Sequence, residues 1–220
     1  MAAHLVVAGR LIDEDPELAY AHADAARRRA ARLPIVREAA AETAYAAGHF
    51  DVALSEFRAL RRMTGTHDYL PVMADCERAL GRPDAALKLA KDSRQFGLDP
   101  AQQIEMVMVE AGARSDLGQQ AEALRVLKSA IERYSDRNPG LRSSRARLRY
   151  AFADQLLEQG RESEARSWFS AAAQLDPEGE TDAQSRLDAL DGLQIDFDES
   201  EDELAEPTES SETDAMDQPS

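Results

Sequence analysis

Apolar and polar positions along the first 178 residues recur at helical spacing, and no run alternates as a half-buried strand would. Alanine, leucine, arginine, glutamate and glutamine dominate these stretches, while β-branched residues are sparse. The expected fold class is all-α. The punctuation between helices also recurs. A glycine is followed five residues later by alanine in "GHFDVALSEFRAL", "GRPDAALKLAKDS", "GQQAEALRVLKSA" and "GRESEARSWFSAA", giving Gly48/Ala53, Gly81/Ala86, Gly118/Ala123 and Gly160/Ala165.

From each alanine a stripe continues at offsets of four and seven, which lie on one helical face: Phe57 and Leu60, Ala90 and Ser93, Leu127 and Ala130, Phe169 and Ala172. The segment "PELAYAHADAARRRA" fits the same template through Ala19, Ala23 and Ala26, with Glu14 in the glycine's place. Equivalent alanines are 34, 33, 37 and 42 residues apart, so insertions are expected at "FGLDPAQQ" and "RYSDRNPGLRSS". Glycine permits a left-handed turn at the end of a first helix, and alanine lets the second helix approach closely. Asp15-Pro16 and Asp99-Pro100 each put a capping acid before a proline suited to the first helical position.

This pattern resembles the tetratricopeptide repeat, a helix-turn-helix unit of about 34 residues. "LRYAFADQLLEQGRESEARSWFSAAAQLDP" fits best, with Gly160 in the turn, Ala165, Phe169 and Ala172 on the second helix and Pro177 closing the unit. Other units depart from the family pattern: Ala90 and Leu127 stand where an aromatic is usual, and a closing proline occurs only at Pro100 and Pro177. The resemblance implies a right-handed superhelical solenoid of antiparallel hairpins over residues 1–178, in units of about 3–33, 34–66, 67–100, 101–140 and 141–178. "ETDAQSRLDALDG" reads as a polar capping helix over 180–191, with Thr181 and Gln184 spaced as a capping box. The first helix, "AAHLVVAGRLI", is short and uncapped, and its strip of Leu5, Val6 and Leu11 packs on the next unit or, failing that, on another molecule. An N-terminal segment missing upstream of it would give the same picture.

Charge changes this picture at the C-terminus. The net charge is −16, yet 13 acids and no basic residue follow Arg186, which leaves 29 acids against 26 bases before it. Residues 192–220 are rich in acids, serine and threonine and are expected to be a disordered acidic tail, either solubilising or folded back on the arginine clusters. Within it, Leu193, Ile195 and Phe197 alternate with polar residues in the manner of a short docking motif. One cysteine excludes an internal disulfide and a cysteine-based zinc cage. No apolar run suits a signal peptide or a membrane span, and a cytoplasmic location is expected.

Catalytic signatures are missing: no phosphate loop, dinucleotide fingerprint, H-E-x-x-H or G-x-S-x-G occurs. His4, His22, His49 and His67 are scattered one to a segment. Cys76, with His67 nine residues before it, is read as a small buried residue rather than a nucleophile. "DFDESEDE" lacks the glycine and closing glutamate of a calcium loop. A non-enzymatic protein without cofactor or metal is expected.

Three arginine clusters stand out: Arg27, Arg28, Arg29 and Arg32; Arg58, Arg61 and Arg62; and Arg142, Arg145, Arg147 and Arg149. They suggest phosphate binding, so a regulatory module that touches RNA or a ribonucleoprotein is the alternative reading, through Arg27, Arg28, Arg29, Arg61 and Arg62. Aromatic residues for base stacking are not interleaved with them, and the acidic tail would repel nucleic acid.

The repeat resemblance points each first helix at a concave groove. Its expected lining is Glu38, Glu42, Tyr45, Asp75, Arg78, Glu105, Met108, Asp116, Arg147, Tyr150, Asp154 and Glu158, seven acids against two arginines. The function expected from it is an interaction scaffold that holds a basic or mixed-charge segment of another protein. The family's carboxylate-clamp subset needs a basic groove with asparagines; Asn138 is the only asparagine and precedes a proline, so that mode is disfavoured.

Overall fold

The computed structural model describes residues 1–135 and 138–192. Those residues form α1 (Ala2–Leu11), α2 (Pro16–Ala30), α3 (Pro34–Ala46), α4 (Phe50–Thr64), α5 (Leu70–Ala79), α6 (Pro83–Ser93), α7 (Pro100–Asp116), α8 (Gln120–Arg133), α9 (Arg142–Glu158), α10 (Glu162–Ala173) and α11 (Ala183–Leu190), with a 3-10 turn at Pro139–Leu141 and no strand among the described residues. The disordered character expected of the acidic tail concerns residues that, from Leu193 on, lie outside the described ones.

Each odd-numbered helix from α1 to α9 packs on the helix that follows it, and each pair stacks on the next. The pairs are hairpins because their connections are three to four residues long, too short for anything but antiparallel neighbours. The turn chemistry is the same four times. Gly48, Gly81, Gly118 and Gly160 have φ of +76°, +71°, +74° and +70°. At each, the glycine N–H donates three residues back and the next N–H five residues back, as with Gly160 to Leu157 O (2.9 Å) and Arg161 to Leu156 O (3.0 Å). This is the Schellman closure, which the left-handed residue makes accessible. The first hairpin has no glycine at its turn and passes through Asp13–Asp15 instead, with Asp15 capping Leu18 N at 3.0 Å.

All fifteen stripe residues are buried: Ala19, Ala23 and Ala26, then Ala53, Phe57 and Leu60, Ala86, Ala90 and Ser93, Ala123, Leu127 and Ala130, Ala165, Phe169 and Ala172. Four clusters of buried apolar side chains follow one another along the array, with Phe57 in one and Leu127 and Phe169 in the largest. Trp168 flanks the stripe and meets Phe152 of α9 edge to face, with centroids 5.1 Å apart. The two longer spacings correspond to the connections at residues 94–99 and 134–141, the second containing the 3-10 turn.

Helix starts follow the sequence at Asp15 and Asp99 and depart from it ahead of α11. Asp99 accepts from Gln102 N (2.9 Å) while the Gln102 side chain accepts from Asp99 N (3.1 Å), a complete capping box ahead of α7. The Thr181/Gln184 box does not form. Thr181 instead donates to Asp176 Oδ2 at 2.7 Å, Gln184 donates to Asp188, and Asp182 is the residue before α11. Asp176 prevails because it also takes the Glu180 and Thr181 amides, three donors for one carboxylate.

Candidate functional site

The first helices of the second to fifth hairpins, α3, α5, α7 and α9, line an open groove of about 640 Å³. Ten expected groove residues border it: Tyr45, Asp75, Arg78, Glu105, Met108, Asp116, Arg147, Tyr150, Asp154 and Glu158. The helical register brings these together from a span of more than 110 residues because each first helix turns the same face inward. Glu38 and Glu42 do not border this cavity. They lie two turns and one turn before Tyr45 on α3, where Glu38 accepts from the Tyr69 hydroxyl. Asp68 and Gln102, from outside the expected set, border the groove from the starts of α5 and α7.

Charge in the groove is mostly acidic and partly paired. Six carboxylates, Asp68, Asp75, Glu105, Asp116, Asp154 and Glu158, face two guanidinium groups, Arg78 and Arg147. Polar contacts climb from hairpin to hairpin. Tyr45 on α3 donates to Asp75 on α5 at 2.6 Å. Arg78 holds Asp75 at 3.1 Å and reaches Asp116 on α7 at 3.5 Å. Arg147 on α9 reaches back to Glu105 on α7 at 2.5 Å. Arg186 on α11 binds Asp154 on α9 at 3.2 Å and approaches the Tyr150 hydroxyl at 3.4 Å. The repeat pattern does not point to Arg186, because it assigns a capping helix no place in the groove.

Glu158 has no cationic partner among the described residues; it accepts from Gln155 at 2.7 Å and from Ser115 at 3.5 Å. Glu42 is exposed, yet partial desolvation by the surrounding protein, and then the neighbouring Glu38, raise its pKa. Burial also raises Glu105, against the opposing pull of Arg147. Burial and the bond to Asp75 push the Tyr45 phenol well above its ordinary value, so it serves as a hydrogen-bond donor and not as a base. The result is a surface that carries excess negative charge with hydroxyl and methionine side chains between the acids.

The arginine clusters have largely structural neighbours. Arg27 binds Asp24 (2.6 Å) and Glu56 (3.4 Å), Arg28 binds Asp24 (2.8 Å), and Arg37 shares Glu56. Arg58 and Arg82 hold the two oxygens of Glu77 at 2.5 and 2.8 Å. Arg94 and Arg114 do the same for Glu110, at 3.1 and 2.9 Å. Glu56, Glu77 and Glu110 are all buried, so these arginines neutralise acids that the packing removes from water. Arg61 lies 5.4 Å above the Phe96 ring, which stacks on His67. Arg147 belongs to the groove, and Arg145 is buried. Cys76 is fully buried, and burial pushes its thiol up to about 12, the state of an inert core residue.

Helical hairpins stacked in one register, with left-handed glycines at their turns and a groove along their first helices, define an α-solenoid of the tetratricopeptide-repeat type. Among solved structures the chain is similar to TTC0263, a thermophilic TPR protein of Thermus thermophilus, at a TM-score of 0.64 and 20% identity over 87% of this chain and 99% of that one. The fold is therefore that of a tetratricopeptide-repeat protein. No protein-family model matches the chain, and no curated protein matches it in sequence. Among the described residues no helix is long and apolar enough to cross a membrane.

Proposed function

We propose that the protein is a non-catalytic interaction scaffold that holds a basic or mixed-charge segment of another protein in the groove of α3, α5, α7 and α9. The observation that carries this reading is the groove's charge: six carboxylates against two arginines in one concavity of about 640 Å³. Such a surface steers cationic chains toward it and offers charge-assisted acceptors to lysine and arginine. Length suits an extended segment, since the cavity runs across four successive hairpins. Tyr45, Met108 and Tyr150 add apolar surface between the acids, which favours a segment with both basic and apolar residues over a purely basic one.

The RNA reading draws less support. Of its five named arginines, Arg27 and Arg28 are held by acids and Arg61 lies over Phe96. A direct test uses fluorescence anisotropy with labelled peptides of about ten residues, one basic and apolar, one acidic and apolar. The basic peptide binds in a salt-sensitive way, and Glu158→Arg weakens it severalfold. Equal binding of both peptides, or indifference to Glu158→Arg and Asp116→Arg together, would overturn the proposal.

A further inference from the structure

A second cavity of about 680 Å³ has the opposite sign. It lies between α6, the 94–99 connection, α7 and α8, and four arginines, Arg94, Arg114, Arg125 and Arg133, border it against a single carboxylate, Glu110. Glu110 is buried and shared by Arg94 and Arg114, so one negative charge is already divided between two guanidinium groups. The pair of Arg125 with Glu122 is exposed on both sides, the kind of contact that water and salt loosen. Phe96 extends the cavity toward Arg61, which lies over the same ring. The solenoid thus carries an acidic groove along its first helices and a basic pocket elsewhere on its surface.

We infer that this basic pocket is a docking site for an acidic peptide segment, and that its resident occupant is residues 193–220 of the same chain. That segment holds eleven acids and no basic residue. It begins after Gly192, beyond α11, and three helix-to-helix steps of about 10 Å separate α11 from α8. Roughly ten extended residues cover that distance at about 3.3 Å each, which leaves more than half of the segment to occupy the pocket. Tethering gives the segment a local concentration that a separate acidic partner must exceed. This occupant uses a surface distinct from the proposed groove and does not depend on what the groove holds.

The chain contains its own reporter. Its only lysines, Lys88, Lys91 and Lys128, all lie on α6 and α8, the second helices that border the pocket. Zero-length carbodiimide cross-linking of the full chain, followed by peptide mass spectrometry, reads which carboxylates lie beside them. The expected result is cross-links within one molecule from acids of 193–220 to Lys91 and Lys128. At 1 M salt, where the screening length falls to about 3 Å, they drop severalfold. They drop likewise in Arg125→Glu/Arg133→Glu, whose helical content is checked by circular dichroism; the salt series repeats the test without any substitution. A cross-link between Lys128 and its neighbour Glu164 serves as an internal standard. The inference is overturned if tail cross-links form only between molecules, fall equally on the N-terminal amine, or persist at full yield in high salt. It is also overturned if a labelled oligonucleotide fills the pocket and leaves them undiminished.

Discussion

Replacing Gly160 with alanine isolates the conformational contribution of the repeat turn. Gly160 has φ of +70°, and a Cβ built on it meets nothing within 4 Å, so crowding plays no part. An L-residue held in the left-handed region costs about 1–2 kcal/mol. Alanine returns about 0.4–1 kcal/mol by restricting the unfolded chain. The net expectation is a loss of about 1 kcal/mol, and Gly160→Asn loses less, because asparagine tolerates this backbone better. The chain's one tryptophan reports on the same hairpin, since Trp168 on α10 packs against Phe152 on α9. In urea, with a slope of about 1–3 kcal/mol per molar, the tryptophan transition shifts down by about 0.3–1 M. Gly48→Ala, with φ of +76° three hairpins away, moves that transition less, because a solenoid's stability is built from local and nearest-neighbour contributions. A neutral or stabilising Gly160→Ala, or an asparagine variant worse than alanine, would show that the left-handed backbone does not set the cost at this turn.

Gly112 offers the contrasting case: it is helical, and a Cβ there comes within 3.2 Å of Arg78 Nε, so Gly112→Ala is expected to keep or raise helix stability while loosening the Arg78–Asp116 bridge, visible as altered peptide affinity with an unchanged or raised melting midpoint. Glu77→Gln strands Arg58 and Arg82 without their shared acid and lowers stability by about 1–3 kcal/mol, measured by denaturant unfolding. For Glu42, an exposed side chain, partial desolvation by the surrounding protein and then the charge of Glu38 raise the folded pKa above the ordinary 4.5, so the folded state binds the proton more tightly and stability falls as pH rises through that window. Because Glu42 is exposed and water screens its charge, Glu42→Gln gives only a slight gain at pH 7 and none below about pH 4, a comparison of melting curves at the two pH values. Cys76 reacts with iodoacetamide at pH 8 only as fast as its hairpin opens, so labelling accelerates steeply in urea.

How far the sequence reaches depends on the kind of contact. The stripe from Ala53 to Phe57 and Leu60 is legible because offsets of four and seven put burial into the chain's own spacing, and the turn glycines because few other residues tolerate φ near +70°. The first-helix lining was legible once the register was fixed, since Asp154 and Glu158 follow from the position of Gly160. Less legible were contacts between distant positions of like appearance. Nothing in the spacing marks Glu56, Glu77 and Glu110, yet each is buried and held by two arginines, in part from other helices. That network is also why the arginine clusters looked available for phosphate. Asp68 borders the groove from a helix start, and Arg186 reaches the lining residue Asp154 from the capping helix, positions to which the repeat template assigns no groove role.

The central claim is that the acidic groove selects its partner by charge. A charge swap tests it most directly: peptide affinities are measured for the unaltered chain and for Glu158→Arg/Asp116→Arg, with a basic peptide and its acid-for-base counterpart. The account predicts that the unaltered chain prefers the basic peptide and that the variant loses this preference or inverts it, with both effects fading at high salt. An unchanged preference in the variant would contradict it.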